Sequence, residues 1–411
     1  MNGIIQIRRN VSRSEILFRY LFVFALIVIS ADNYLFSGNG GEIYNTIRYF
    51  FTGGVSLLMF FRKRNNKSTR LFEKVVALVV LLFLSGIFSE GRISGGASLV
   101  AMLIIAAYFV TSYFSVNDFF DVFSKIILYG TLYSVIIWVL AFFLHVLPMQ
   151  DSITLGGAYA KSFGFCYFIR ERNTFLFREP GMFQVYINLA FIMILLRNKG
   201  NIKFSHIAIF AAGVLSTYST AGFICFFLIM ILQMILKRGS GRKLFWSIII
   251  ISLSAAVMTS SLYQELVFSK LSSVNEEGSS MMSRSAAIIV SLNIAFHSIP
   301  NILFGVGISG IEHYFPIFSN DIFGVPLNIN GNSTNTFFIP AAIFGVWFMI
   351  FYFVGYYKFA RRIAKPWRKA GLLVLIILFL LFSNEGMYYS IIPYILVLYG
   401  LNSKTKFNAI E

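Results

Sequence analysis

The densest set of reactive side chains lies between 161 and 181. Lys161, Arg170, Arg172 and Arg178 are interleaved there with Glu171 and Glu179, and Pro180-Gly181 leads into a long apolar run. Guanidinium groups match phosphate and diphosphate oxygens with paired, charge-assisted hydrogen bonds. The apolar run reads as a membrane helix, so Arg178 and Glu179 fall at a helix N-terminus near a membrane surface, where anions are favoured. The chemistry this predicts is capture of a lipid-linked diphosphate. The plainer reading is a solvated loop whose charges pair locally.

Other residues extend that chemistry. Arg284 precedes the apolar segment 286–296 and could cap polar surface or supply a second phosphate contact. His297 and His313 follow; neither has a partner at metal-ligand spacing. His313, with Glu312 beside it and Tyr314-Phe315 after it, is the better candidate for moving a proton near a sugar ring. Arg48 lies inside an apolar stretch, with Asp32 as a possible partner. An intramembrane charge either snorkels to the surface or marks a functional site.

Three patterns carry less. Gly305-Val306-Gly307-Ile308-Ser309-Gly310 fits G-x-G-x-x-G, but dinucleotide binding needs that motif between a strand and a helix. Gly305 and Gly307, like Gly181, are read as turn glycines that allow close backbone approach. Asn332-Ser333-Thr334 matches a glycosylation sequon by chance, since nothing else suggests a secretory-pathway protein. Cys166 and Cys225 make neither a disulfide framework nor a metal motif.

The elements that must position these residues follow from composition. Hydrophobic residues make up 57% of the 411 and charged residues 12%. Mean hydropathy is +0.76. A soluble globule carries about 25% charge, so the chain is expected to be an all-α, polytopic membrane protein forming one integral domain, 1–411. Windows of roughly 20 apolar residues give about twelve spans: 16–36, 43–61, 75–89, 98–116, 123–147, 181–197, 205–217, 219–236, 244–260, 335–356, 370–384 and 387–401. Polar breaks at 216–220 and 384–386 make two tight hairpins. The first span has no cleavage site after it and is not a signal peptide.

The net charge of +17 orients the chain. With both termini inside, most Lys and Arg fall in inner segments, as the positive-inside rule requires. Asp118 and Asp121 against Lys125 form the one inner segment that is not basic. A nucleic-acid role is excluded, because no soluble basic domain exists to carry it. The outer face then carries two long loops, 148–180 and 261–334; loops of that length are functional or disordered. In the second, 286–296 is expected to be an amphipathic or re-entrant helix lying against the membrane.

Three blocks of residues bring a resemblance. Phe177-Arg178-Glu179-Pro180-Gly181-Met182-Phe183-Gln184 at the start of a span resembles the O-antigen polymerases of Gram-negative bacteria. Leu215-Ser216-Thr217-Tyr218-Ser219-Thr220-Ala221-Gly222 resembles the next block of those proteins, and Asn301-Ile302-Leu303-Phe304-Gly305-Val306-Gly307, preceded by Arg284, resembles a third. The resemblance covers roughly 175–350 and the twelve-span topology with two large outer loops. Members carry an Arg-x10-Gly pattern in the first loop, a spacing met here by Arg170 and Gly181. The similar pattern of the second loop fails at Arg284, where Ala295 stands in place of Gly, and is met by His313 and Gly324 with His for Arg.

The resemblance implies an inverting glycosyltransferase of the GT-C type in the bacterial inner membrane, with its active site facing the periplasm. It would join undecaprenyl-diphosphate-linked repeat units, donor to acceptor, during lipopolysaccharide assembly. It implies no cofactor and no metal, and a chain-length-regulating co-polymerase as partner. Arg170, Arg172, Arg178, Arg284, Lys161 and Arg48 would bind the diphosphate, with Arg178 also stabilising the leaving group. Glu179 or His313 would take the acceptor's proton. The alternatives are an O-antigen ligase or a lipid-linked oligosaccharide flippase. The ligase is disfavoured because its His before Asn is Thr334 here, ahead of Asn335 and Gly345. A flippase is expected to lack large outer loops.

Overall fold

The computed structural model describes residues 12–30, 47, 50–55, 58, 61, 69–153, 159–237, 280–329, 334–365 and 368–403. Helices dominate. In chain order they are α1 Arg13–Ser30, α2 Thr69–Glu90, α3 Gly95–Tyr113 and α4 Val116–Trp138, which runs into a π-helical turn, Val139–Phe143. Then come α5 Pro180–Arg197, α6 Phe204–Thr217, α7 Thr220–Leu236, α8 Ser280–Phe296, α9 Ile299–Phe304 and α10 Gly307–Phe323. The last four are α11 Phe338–Phe344, α12 Val346–Ile363, α13 Arg368–Ser383 and α14 Ile391–Leu401.

Four segments are long and apolar enough to cross a membrane: Thr69–Glu90, Gly95–Tyr113, Val116–Phe143 and Pro180–Arg197. They suit a membrane protein, and so does the distribution of exposure. On α2, Val76, Val80, Leu81, Leu84, Ile87 and Phe88 are exposed, a continuous apolar face that water would penalise and lipid accepts. By contrast α5 is buried at every residue but Ile194 and Arg197, and α14 from Ile391 to Gly400. A helix apolar on all sides belongs in the interior. α4, α6 and α7 surround α5, while α3 and α12 flank α14.

The all-α expectation needs correction in the segment expected to be the first outer loop. Residues 150–175 contain a four-stranded antiparallel meander: β1 Gln150–Ile153, β2 Tyr159–Phe163, β3 Cys166–Ile169 and β4 Arg172–Phe175. Its register sets Asp151 opposite Lys161 and Ile169 opposite Arg172. Ala160, Cys166 and Phe168 are buried while Tyr159 and Phe165 are exposed. The strands are short and their alternation is partial, so no period-2 signal stood above the helical background.

One other expectation changes. The span at 335–356 is broken at Gly345, where α11 ends and α12 begins. The segment 286–296 is helical and buried on one face: on α8, Ala286, Ala287, Val290, Ile294 and Ala295 are fully buried, against α11 and α10, while Ile289 and Phe296 are exposed. The break has a local cause. Gly305 (φ 69°) lets the end of α9 meet α11 so closely that a Cβ there would be 2.3 Å from the Ile343 carbonyl oxygen. Gly345 (φ 104°) does the reverse, with a Cβ 2.6 Å from the Leu303 oxygen. Val306 N donates to Ala342 O at 2.8 Å across the same junction. The backbone partner of the glycine-rich stretch is thus the chain itself.

The hairpin at 216–220 is as tight as expected: α6 ends on Tyr218 at φ 49°, and the Ser219 hydroxyl accepts from Gly222 N to start α7. The turn at 384–386 is longer, extending to Ser390 before α14 begins. At the opposite end of the helices the non-basic inner segment is accounted for. Asp121 pairs with Lys125 (3.0 Å) and with Arg197, and Asp118 faces Arg19 at 3.9 Å. These pairs tie α1, α4 and α5 together. The expected span at 244–260, and Arg48 and Asp32, lie outside the described residues.

Candidate functional site

Glu385 is the centre of the charged site, and it lies in the turn between α13 and α14. The residue is 4% exposed. Its position is dictated by the segment before α11. Thr336 Oγ1 donates to Glu385 O (2.5 Å) and accepts from Met387 N (2.9 Å), while Asn335 Nδ2 donates to Ser383 O (2.8 Å). Asn335 Oδ1 accepts from the amides of Phe337 and Phe338, which starts α11. The Asn-Thr pair therefore starts one helix and holds the turn of another.

Three charged side chains from different elements act on the Glu385 carboxyl. Arg284 comes from α8, with Nη2 3.9 Å from Oε1. Arg172 comes from the start of β4, and Glu179 from the residue before α5. Burial first, and then the negative charge of Glu179, push the Glu385 carboxyl up to about 8, with Arg284 and Arg172 opposing. Arg172 is pulled below its ordinary value, first by burial and then by Arg284 and Arg170, with Glu385 and Glu179 opposing. Both shifts follow from charge withdrawn from water.

Arg172 is held in place locally. Arg170 and Glu171 form the β3–β4 turn at φ 47° and 66°, the left-handed geometry that two-residue hairpins require. Trp138 Nε1 donates to Glu171 O at 2.8 Å. The next residue, Arg172, donates through Nε to Thr217 O at 3.1 Å, at the carbonyl end of α6 where a cation is favoured. Asn173 then bonds Ser134 (3.1 Å) and Ser216 (3.0 Å), fastening β4 to α4 and α6.

Gly181 abuts the same carboxyl. It has no positive φ, so it is not the turn glycine read from the sequence. A Cβ there would lie 1.9 Å from Glu385 Oε1; the glycine gives the carboxyl its space against α5. Gly305 and Gly307 do have positive φ, 69° and 75°, and a Cβ on Gly307 would meet Glu90 at 2.4 Å. Glu90 Oε1 accepts from Ser309 N at 2.8 Å near the start of α10.

The remaining predicted residues divide between the neighbourhood of this cluster and other elements. Arg178 is half-buried beside Glu179, and Arg170 is exposed on the turn. Lys161 is exposed on β2. His313 is exposed on α10, edge-on to Tyr314 at 5.2 Å, and His297 is edge-on to Phe318 at 5.1 Å. Sequence reasoning missed Glu385, treating it as a turn residue. Its signal was that of a lone acid between two apolar stretches, which marks a functional candidate by default. No protein-family model matches this chain, and no curated protein matches it in sequence.

Proposed function

We propose that this protein is a membrane glycosyltransferase of the O-antigen polymerase kind, joining lipid-diphosphate-linked oligosaccharide repeats on the outer side of the bacterial inner membrane. The observation that supports the reading is the meeting of Arg172 and Arg284. One comes from each loop expected to be outer, and both act on the charge of Glu385, which abuts the first turn of α5. Two guanidiniums at the edge of an apolar helix bundle suit a diphosphate whose isoprenoid tail lies in the bilayer. About twelve spans with both termini in the cytoplasm, a GT-C-like arrangement and a separate co-polymerase complete the proposal.

The reaction follows from the charges. The acceptor hydroxyl oxygen attacks the donor's anomeric carbon and forms the new glycosidic bond. The bond from that carbon to the phosphate oxygen breaks, and its electron pair stays on the lipid diphosphate with inversion at carbon. Arg172 and Arg284, with Arg170 and Arg178 nearby in the chain, stabilise the charge gathering on the leaving group, commonly the largest catalytic contribution. Glu179, the exposed carboxylate of the cluster, accepts the hydroxyl proton. His313, on α10, is the other acceptor.

Gene deletion followed by lipopolysaccharide gel analysis tests the reading. A polymerase deletion removes the ladder and leaves one repeat attached. Loss of every repeat indicates a ligase, and accumulation of lipid-linked units on the inner face a flippase. Arg284→Ala, present at normal level in the deletion strain, is expected to fail to restore the ladder. A normal ladder from that variant removes Arg284 from the site.

A further inference from the structure

We infer that Glu385 is itself a ligand of the diphosphate, entering the site as a neutral carboxylic acid whose O–H donates to a phosphate oxygen between Arg172 and Arg284. The inference rests on the diphosphate-dependent reading above and adds a residue that no motif singled out.

The geometry carries it. The carboxyl is buried against the first turn of α5, where only Gly181 leaves room. The charged groups facing it are Arg172 from β4, Arg284 from α8 and Glu179 from the foot of α5. Thr336, from the segment before α11, is neutral and engages the Glu385 backbone. An ionised carboxylate among two guanidiniums would be expected to draw one into a close, bidentate pair. Here Arg284 stands off at 3.9 Å, and among the described residues nothing donates a hydrogen bond to the carboxyl. A buried carboxylate without donors is disfavoured, so the group takes its proton instead. Once protonated, the carboxyl O–H is a donor, and a phosphate oxygen held by the two arginines would accept from it.

The protonation state decides whether the residue helps or hinders. As an acid it adds a third donor to the two guanidiniums. As a carboxylate it repels phosphate and competes for Arg284. Burial and Glu179 hold it protonated up to about 8, a carboxylic acid kept neutral in order to donate, as in some enzyme oxyanion sites.

The test is binding of inorganic diphosphate to the purified full-length protein in detergent between about pH 6 and 9.5. Wild-type affinity is expected to fall about tenfold per pH unit above about 8. Glu385→Gln, which donates without titrating, should bind within a few-fold of wild type at pH 7 and lose that alkaline fall. Glu385→Ala should bind on the order of tenfold more weakly at pH 7, as a lost hydrogen bond to a charged group implies. Parallel profiles for wild type and Glu385→Gln overturn the inference, as does wild-type protein that binds no diphosphate at any pH. Loss of binding at pH 7 in Glu385→Gln, at unchanged melting temperature, overturns it too, by showing that the carboxylate is what the site needs. The polymerase reading fails separately: if deletion leaves the lipopolysaccharide ladder intact while the binding profile holds, the function falls and the site stands. If the ladder is lost but Glu385→Gln tracks wild type, the reverse is true.

Discussion

Glu385 and Gly181 show how narrow the tolerances of the charged site are. A methyl group at Gly181 would sit 1.9 Å from Oε1, so the carboxyl would have to leave its place against α5. Gly181→Ala is therefore expected to abolish the ladder while leaving the amount of membrane-inserted protein near normal, since alanine suits the helix backbone. A normal ladder would show that the carboxyl moves freely. The shifted carboxyl also links stability to pH. Its folded-state value, about 8, lies above the ordinary value of 4.5, so the folded protein holds an extra proton between those limits. Stability is full below about pH 4.5 and is lost as pH rises through about 8. The melting temperature in detergent should thus fall from pH 6 to 9 in wild type and fall less in Glu385→Gln. Equal slopes for the two proteins would place the titration elsewhere.

Among elements, the turn between α13 and α14 depends on a distant segment. Thr336 satisfies both Glu385 O and Met387 N. Thr336→Val keeps the shape and removes both bonds, leaving Met387 N and Glu385 O only their mutual 3.1 Å bond, at a cost of about 1–3 kcal/mol. It should lower the melting temperature and weaken diphosphate binding together, and Thr336→Ser should restore both. Retained binding in the valine variant would show that the turn holds without its latch. The α9–α11 junction is less forgiving. At Gly305 and Gly345 a side chain meets backbone rather than a mobile neighbour, and φ is positive at both. Alanine at either is expected to reduce the amount of folded protein in the membrane, measured by immunoblot, rather than to impair activity selectively. These junctions explain why 335–356 read as one span. Its hydropathy is continuous, and only the approach of α9 breaks it.

The whole molecule raises the question of orientation. Cys166 and Cys225 are both fully buried, and burial pushes the Cys166 thiol up to about 12, so neither competes for a thiol reagent. Tyr159 is 77% exposed on the sheet. In intact cells with a permeable outer membrane, Tyr159→Cys should react with a membrane-impermeant maleimide and wild type should not. Labelling only after lysis would invert the topology drawn from the basic segments. Arg361 and Arg362, in the last turn of α12, would then lie outside, against the positive-inside rule.

What was legible in the sequence was whatever local composition determines. Apolar runs marked α2, α3 and α5, because about 20 apolar residues have few other fates. Polar breaks marked the α6–α7 hairpin, and the dense Arg-Glu segment marked Arg172, Glu179 and Gly181 as neighbours of one another. The sheet was not legible, because strands of four or five residues carry too little alternation to register. Nor was the burial of one face of α8, which depends on α10 and α11 later in the chain. Above all, tertiary structure alone decided that Glu385 joins Arg172 and Arg284. The three lie on a turn, a strand and a helix far apart in sequence. A carboxyl's protonation depends on water excluded and charges approached in space, and neither is encoded in the residues beside it.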